Sequence, residues 1–571
     1  MQQKPFKNLK NLQKSVPFLH DSVDMPSITN AIKGNTQMLS PRGAECYQFP
    51  LFHEVHLDDQ RLLNTIDGEW FEILHSFPWE NYRVHAASYY DALYDFNVGQ
   101  RETPENPDEA TTETKEEAQQ RLLFDRTTMQ ISETAPQVLY QGQVIELKPS
   151  TVDPMTLSPG VVPARLAGRQ PKCFFGLFKA FQGTVLLGYP AEPEQVYRQL
   201  TSNPSFARVC GFSPKEKDKP WQYIDHQIPS LRKLEQFDQV MREAGLWGDI
   251  KISEVKTNFQ SGIIEKENEL VGDTTHYYAY SSFETVLYED DKGSTKKKSQ
   301  SKVTKACRCD DWSTCSHDWE LTDDGAGTIV KSKTKMYWGH KASVIGLPGQ
   351  GIALDAVAVA DAASHDGQTF FPHVKKVFEQ YPDLTTSINR VLYDSACDDT
   401  ELKARFKDEL DVELKASFNP RRSKATTADL PRGIAKITPY GVPVCLAGYE
   451  LDYQGIRYDR EKFIYEAPEQ DDGTSVCVGC SMRDECCNRS TQTGRTITVS
   501  FDTLPQIDPN DPPMAKRFKA IMRRRPSVER MIKRLKCDLG DDRLSKRGNE
   551  SFQAYLDKTM IAYHLLIRHS H

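Results

Sequence analysis

The sequence predicts an α/β protein: a mixed sheet flanked by helices, interrupted by a β-rich insertion before its last helices and preceded by a helical region. Three observations carry that prediction. Short apolar runs at 267–273, 335–346, 352–360 and 388–394, with one helical pattern at 368–381, give the order strand, strand, strand, helix, strand. Apolar residues recur at helical spacing over 192–212 and 230–248. No run of about 18 apolar residues occurs, so no membrane span and no membrane partner is expected.

At roughly 150 residues per domain, the 571 residues suggest three or four domains. Hydrophobic residues are 38% and charged residues 27%, which is polar but short of a disordered composition. The formal charge of -8 and pI near 6.0 argue against a chain coated by nucleic acid as a whole. The start, MQQKPFKNLKNLQKSV, lacks the apolar core of a secretory signal, so a cytoplasmic location is expected. In that reducing compartment the thirteen cysteines are expected to be buried, catalytic or metal-bound rather than paired.

Residues 1–100 are rich in aromatics without a clean period and form an N-terminal region of unknown role. Residues 101–172 read as an acidic linker and irregular region, beginning RETPENPDEATTETKEEA. The helical domain is placed at 173–262, as a scaffold or a DNA-end-binding unit. Within it Leu231, Leu234, Phe237 and Val240 recur every three residues, and Gly245 and Gly248 are candidate stops. The mixed-sheet domain is assigned to 263–425 and 505–571, with the insertion at 426–504. KGSTKKKSQSKVTK at 292–305 reads as a solvated loop, ELKASF at 413–418 as a strand, and 511–537 as a basic helix.

Two predicted strands end in an acid, Asp273 in LVGD and Asp394 in RVLYD. A strand end fixes a carboxylate while leaving its neighbours free to be loop, which suits a metal ligand. Asp also ends strands simply because it favours turns. The segment RRRPSVERMIKRLKCDLG at 523–540 reads as a helix with Pro526 in its first turn and Ser527 as a cap. Arg525, Glu529, Ile532 and Lys536, spaced four, three and four, then share one face. An isolated helix of this kind could equally be an ordinary ion-pair face.

GDTTHYYA, WGHKASVIG, LDAVAVADAASHDG, VLYDSACDD, RRRPSVERMIKRLK and LSKRGNESFQAYL together resemble the catalytic domain of bacterial insertion-sequence DDE transposases over 267–567. The group signature is Tyr-x-x-Arg-x-x-x-Glu-x6-Lys; Arg525, Glu529 and Lys536 match it, and Met522 stands where it has Tyr. The resemblance implies a ribonuclease H-like fold with Asp273, Asp394 and Glu529 as catalytic acids holding two Mg2+ ions, for which Mn2+ can substitute. Asp273 would bridge both ions, and Asp394 and Glu529 would each hold one. Arg525 and Lys536 would contact phosphates, with Arg524, Lys533, Lys341 and His340 as further DNA-binding candidates. Double-stranded DNA, both element ends and target, is the implied partner. A homodimer on DNA and association with the bacterial nucleoid are implied with it. Some such transposases excise through a DNA hairpin and hold a flipped base on a Trp of the insertion; all seven tryptophans here precede Asp394, a Tyr or Phe could stack instead, and the excision route stays open.

Cys477-x2-Cys480-x5-Cys486-Cys487 begins with a zinc-type knuckle and is similar to a cysteine motif in one branch of that family. Adjacent cysteines rarely both reach one ion, so Cys445 is a candidate fourth ligand. Cys307, Cys309, Cys315 and His317 form a second candidate zinc set. Alternative readings are a metal-dependent DNA nuclease without strand transfer and a domesticated DNA-binding protein. Residues 516–547 carry thirteen Lys/Arg against four Asp/Glu, so the whole-chain charge hides a basic segment around Glu529.

Overall fold

A computed structural model describes residues 69–102, 137–140, 143–146, 152–163, 171–212, 227–289, 295–305, 316, 319–332, 335–419, 430–486, 494–504 and 507–571. Cys307, Cys309, Cys315, His317 and Cys487 lie outside the described residues, as do 1–68 and the acidic stretch 103–118.

Helices α1 (Glu69–His75) and α2 (Arg83–Glu102) open the described chain, followed by a hairpin of β1 (Gln137–Tyr140) and β2 (Gln143–Glu146). Next come α3 (Phe174–Leu186), α4 (Pro193–Ser202), α5 (Pro204–Val209), α6 (Leu231–Glu243) and α7 (Leu246–Gln260). Gly245, at φ +70°, separates α6 from α7, but Gly248 lies inside α7 and stops nothing. Only a residue without a Cβ takes that left-handed turn cheaply.

The central sheet has the order β10-β9-β3-β11-β12, from β3 (Glu269–Tyr278), β9 (Lys335–Leu347), β10 (Ile352–Ala358), β11 (Arg390–Tyr393) and β12 (Glu413–Ala416). β3, β9 and β10 run antiparallel; β3, β11 and β12 run parallel. Helices α8 (Asp366–Gln380) and α9 (Thr400–Leu410) supply the crossovers that parallel pairing requires. β4 (Phe283–Glu289) pairs with β5 (Thr295–Ser301), β6 (Val303–Lys305) with β7 (Trp319–Leu321), and β8 (Gly327–Ser332) with β9. The Lys-rich stretch expected as a loop is therefore mostly strand: Lys296, Lys297 and Lys298 pair with Tyr288, Leu287 and Val286. The β-branched and aromatic partner strand provides a ladder that composition alone did not reveal.

Five short strands follow: β13 (Ile434–Ile437), β14 (Pro443–Cys445), β15 (Asp452–Arg457), β16 (Lys462–Glu466) and β17 (Thr496–Ser500). They build a second hydrophobic core from Ile437, Phe463, Tyr465, Val499 and Met514. The chain ends in α10 (Lys516–Met522), α11 (Ser527–Lys533), a π-helical turn at Arg534–Asp538 and α12 (Asn549–Ser570). The continuous helix expected here is thus broken. Pro526, which has no N–H to donate, starts α11 instead of continuing α10. Ser527 is not a side-chain cap; its hydroxyl is buried without a hydrogen-bond partner among the described residues. The π turn takes about one residue more per turn, so the face expected from Arg525 to Lys536 does not persist.

α12 packs along α7, α3 and β10, so the helical region and the sheet share one core. Charge is buried in this seam. Lys251 Nζ of α7 lies 2.6 Å from Asp355 of β10 and 2.7 Å from Asp557 of α12, with all three side chains at most 6% exposed. Lys251 and its neighbour His373 hold the Asp355 carboxyl far below the usual carboxylate range despite burial. Lys558 reaches Asp238, and Arg568 reaches Glu254, across the same seam. Among the described residues no helix is long and apolar enough to cross a membrane.

Removing one partner of a buried ion set leaves uncompensated charge. Lys251→Met should therefore lower unfolding free energy by about 3–5 kcal/mol, measured by urea denaturation. An unchanged midpoint would refute the role assigned to this contact.

Candidate active site

Asp273 lies in the middle of β3 and Asp394 immediately follows β11. The two strands pair parallel, with Arg390 opposite Glu269, Val391 opposite Leu270 and Leu392 opposite Val271. That register has an offset of 121 residues (390 − 269), the same as the separation of the acids (394 − 273). The two acids therefore stand level, two positions past the last registered pair. Asp394 accepts a hydrogen bond from the Ala396 N–H at 2.8 Å, which ties its carboxylate to the turn that follows the strand. Asp273 accepts one from the Thr274 N–H, also at 2.8 Å.

Close packing brings helices to both faces of this strand pair. A Cβ on Gly272, the neighbour of Asp273, would collide with Phe370 of α8. On Gly346 of β9 it would collide with Ile352 O and lie 2.5 Å from Met531 Sδ of α11. Glycine at 346 thus lets α11, which carries Glu529, sit directly on the sheet. Arg525, in the turn before α11, ties the acids together. Its Nη2 lies 2.5 Å from Asp273 Oδ2 and its Nη1 lies 2.6 Å from Glu529 Oε1. The guanidinium and Asp273 are mostly buried, whereas Glu529 is 59% exposed.

The Asp273 carboxyl is pushed up to about 6, first by burial, against which the Arg525 charge works, with Asp394 and Asp366 raising it further. Burial is a larger cause than repulsion from the neighbouring acids. No three His, Cys, Asp or Glu side chains among the described residues stand close enough together to hold an ion. In this arrangement one guanidinium is shared between Asp273 and Glu529 and offsets part of their charge.

Residues 444–565 match the family described as "Transposase DDE domain". Over that stretch the chain is similar to transposase DDE domains. The matched stretch contains Arg525, Glu529 and Lys536, while Asp273 and Asp394 precede it. The chain is also similar to the piggyBac transposase in its synaptic complex with hairpin DNA, at a TM-score of 0.26 and 9% identity over 73% of this chain and 70% of that one. Nothing is carried over from so distant a likeness. No curated protein matches the sequence.

The cations expected to meet DNA are largely engaged within the protein. Arg524 Nη1 lies 3.0 Å from Glu269 Oε2, and that buried carboxylate is also held by Arg390 at 2.5 Å. Lys536 donates to the His276 carbonyl and lies 5.1 Å over the Tyr277 ring. Lys341 donates to Ser364 O at 2.7 Å and to Asp366 Oδ1 at 3.0 Å. Lys533 is exposed on α11, as are Arg523 and Arg530 nearby. His340 is a correction: its ring is wholly buried, 2.9 Å from Asp323 Oδ1 and 3.1 Å from Asn549 Oδ1. It braces β9 against the start of α12 and offers nothing to DNA.

Asp366 is the residue that sequence reasoning passed over. It starts α8, accepts the Thr274 hydroxyl at 3.0 Å as well as Lys341, and adds a fourth negative charge beside Asp273. Its signal was present in ASHDG, where a His-Asp pair opens the predicted helix.

Two outcomes are expected here. Gly346→Ala should overpack the contact with Met531 and cost about 1–3 kcal/mol by chemical denaturation; a neutral result would mean that α11 does not depend on it. Asp273→Asn tests the raised pKa. Between the unfolded value near 3.8 and the folded value of about 6, the folded state binds the extra proton, so stability falls as pH rises through that window. Asn should therefore raise stability by about 2–3 kcal/mol at pH 8 and by little near pH 4, by thermal melts; a pH-independent gain would contradict the assignment.

Proposed function

We propose that the chain is a bacterial insertion-sequence transposase that cleaves DNA at the ends of its element and joins the 3'-hydroxyl ends to target DNA. One observation carries the reading: Asp273 and Asp394, 121 residues apart in sequence, are level at adjacent parallel strands, and Glu529, 135 residues further on, is tied to Asp273 through Arg525. The order β10-β9-β3-β11-β12, three strands antiparallel and then parallel, supports a ribonuclease H-like core. The transposase DDE match over 444–565 supports the same class.

Carboxylate oxygens are hard donors that suit Mg2+, or Mn2+ in its place, and Arg525 now stands between Asp273 and Glu529, so the acids would draw together only once it leaves. Asp273, Asp394 and Glu529 would then hold the two ions. Bound there, the ions would activate a water or 3'-hydroxyl and stabilise the leaving oxygen across the phosphate. The chain's own groups do the remaining work. Asp273 must give up its proton, which its raised pKa makes harder below about 6. Arg525 must leave the acid pair, and its planar fork is then shaped for a phosphate, to which it donates bidentately. Exposed Lys533, Arg523 and Arg530 extend that positive face along α11. Double-stranded DNA is the partner, met in the cytoplasm at the nucleoid, and pairing two ends calls for two copies of the chain.

The test uses the full-length protein with labelled DNA bearing the inverted repeats that bracket its reading frame. Wild type with Mg2+ should nick the ends and join them to target DNA. Glu529→Gln should lose at least about 100-fold in cleavage, a barrier change near 2.7 kcal/mol, while still shifting end DNA in a gel. Full cleavage by that variant would overturn the site. Cleavage by wild type without joined product would instead identify a nuclease, and end binding without cleavage a domesticated DNA-binding protein.

A further inference from the structure

Helix α8 meets β3 at the two residues that flank Asp273. A Cβ on Gly272 would collide with Phe370, and the Thr274 hydroxyl donates to Asp366 Oδ2 at 3.0 Å. Asp366 and Phe370 are one helical turn apart, a rise of about 6 Å, and Gly272 and Thr274 are alternate strand residues, a rise of about 6.6 Å. The two spacings match, so one face of α8 seats both contacts while the helix runs opposite to β3. Side chains alternate along a strand, which turns Gly272 and Thr274 toward α8 and Asp273 toward α11, where Arg525 reaches it. Asp366 therefore grips the strand from behind the Asp273 carboxylate.

That grip is braced on its own side. Lys341 of β9 donates to Asp366 Oδ1 at 3.0 Å and to Ser364 O at 2.7 Å, tying both the carboxylate and the turn before α8 to the sheet. The turn is held by local bonds as well: His365 Nδ1 accepts from the Gly367 N–H at 3.2 Å, and Asp361 accepts from the Ala363 N–H at 2.9 Å. Further along α8, His373 Nδ1 lies 2.8 Å from Ser343 Oγ, and Ser343 is the β9 residue paired with Thr274. From Thr274 one bond leads on to the site, because its N–H donates to Asp273 Oδ1 at 2.8 Å.

We propose that Asp366 is a positioning residue that acts through Thr274 to fix the Asp273 carboxylate, and not a fourth ligand of the metal site. The inference rests on the carboxylate reading above. Holding the Thr274 side chain holds the peptide whose N–H orients Asp273, and Lys341 offsets the charge that Asp366 brings. Misplacing a reacting group by about 1 Å costs on the order of 100-fold in rate, so a smaller shift of one carboxylate should cost about 10-fold. A positioning role and a ligand role respond differently to an amide. Asp366→Asn keeps both contacts: the amide oxygen accepts from Lys341, and the amide nitrogen donates to the Thr274 hydroxyl, which accepts as well as it donates. In a ligand, the same change would replace a hard anionic oxygen with a neutral amide.

The experiment uses the full chain with labelled end DNA and follows single-turnover cleavage, Mn2+ affinity by electron paramagnetic resonance, and end-DNA affinity by gel shift as the check on folding. Asp366→Ala and Thr274→Val should each lower the cleavage rate and the Mn2+ affinity about 10-fold without weakening end binding. Asp366→Asn should stay within about threefold of wild type, and Asp366→Ala combined with Thr274→Val should be no worse than either alone, because the two act as one unit. A loss in Asp366→Asn equal to that in Asp366→Ala, full activity of Thr274→Val, or additive losses in the double variant would overturn the proposal. Thr274→Val exchanges only a hydroxyl for a methyl, so it decides the matter where Asp366→Ala does not fold. Asp273→Asn separates the two layers. Full cleavage by it would overturn the carboxylate reading and the positioning role together, whereas its inactivity beside fully active Asp366→Ala and Thr274→Val would overturn the positioning role alone.

Discussion

Parallel pairing of β3 with β11 in a single register is the constraint on which the rest of the site depends. A one-residue slip would turn either Asp273 or Asp394 to the opposite face of the sheet. The register is secured from both sides. Glu269, at the start of β3, is buried and binds Arg390, its own partner residue in β11, as well as Arg524 before α11. One carboxylate at the bottom of the strand pair thus aligns the two acids at the top and anchors the turn that carries Arg525.

Four cations around the site are committed to partners within the protein. Arg525 bridges Asp273 and Glu529, Arg524 holds Glu269, Lys341 holds Asp366, and Lys536 is drawn to the His276 carbonyl. A DNA phosphate arriving at the site would compete with these partners, so the basic surplus over 516–547 overstates the positive charge on offer. The exchange is nevertheless local and short-range. Arg525 and Lys341 are mostly buried in these pairs, whereas Arg524 is half-exposed, so Arg524 is the most readily traded for a phosphate contact.

The same economy of space and charge governs the fold around the site. Gly272 and Gly346 admit Phe370 and Met531 to the sheet surface, so the two flanking helices reach the strands that bear the acids. Behind them, the Lys251, Asp355 and Asp557 set joins the helical region, the sheet edge and the last helix in one buried contact. The β-rich segment stands on its own smaller core, which is why it can interrupt the chain between Asp394 and Glu529 without disturbing their register.

The succession of strands and helix from 267 to 394 could be read from the chain because it rests on local signals: apolar runs of strand length, turn-forming Asp after them, and helical spacing in α4, α5, α6 and α8. Helix spacing misled at 523–540, where Pro526 and a π turn break a pattern that looked continuous, and Lys richness concealed a strand at 295–301. Burial was invisible for His340, whose motif placed it beside the site while Asp323 and Asn549 enclose it. Asp366 and the cavity lined by Cys445, Cys477, Cys480 and Cys486 depend on contacts between segments far apart in the chain. Sequence settles which side chains are available and which periods they follow, since those are properties of neighbouring residues. Which cation faces which acid, how far a carboxyl is lifted by burial, and which thiols share a cavity are decided only when distant segments pack, because charge interactions and desolvation act through space.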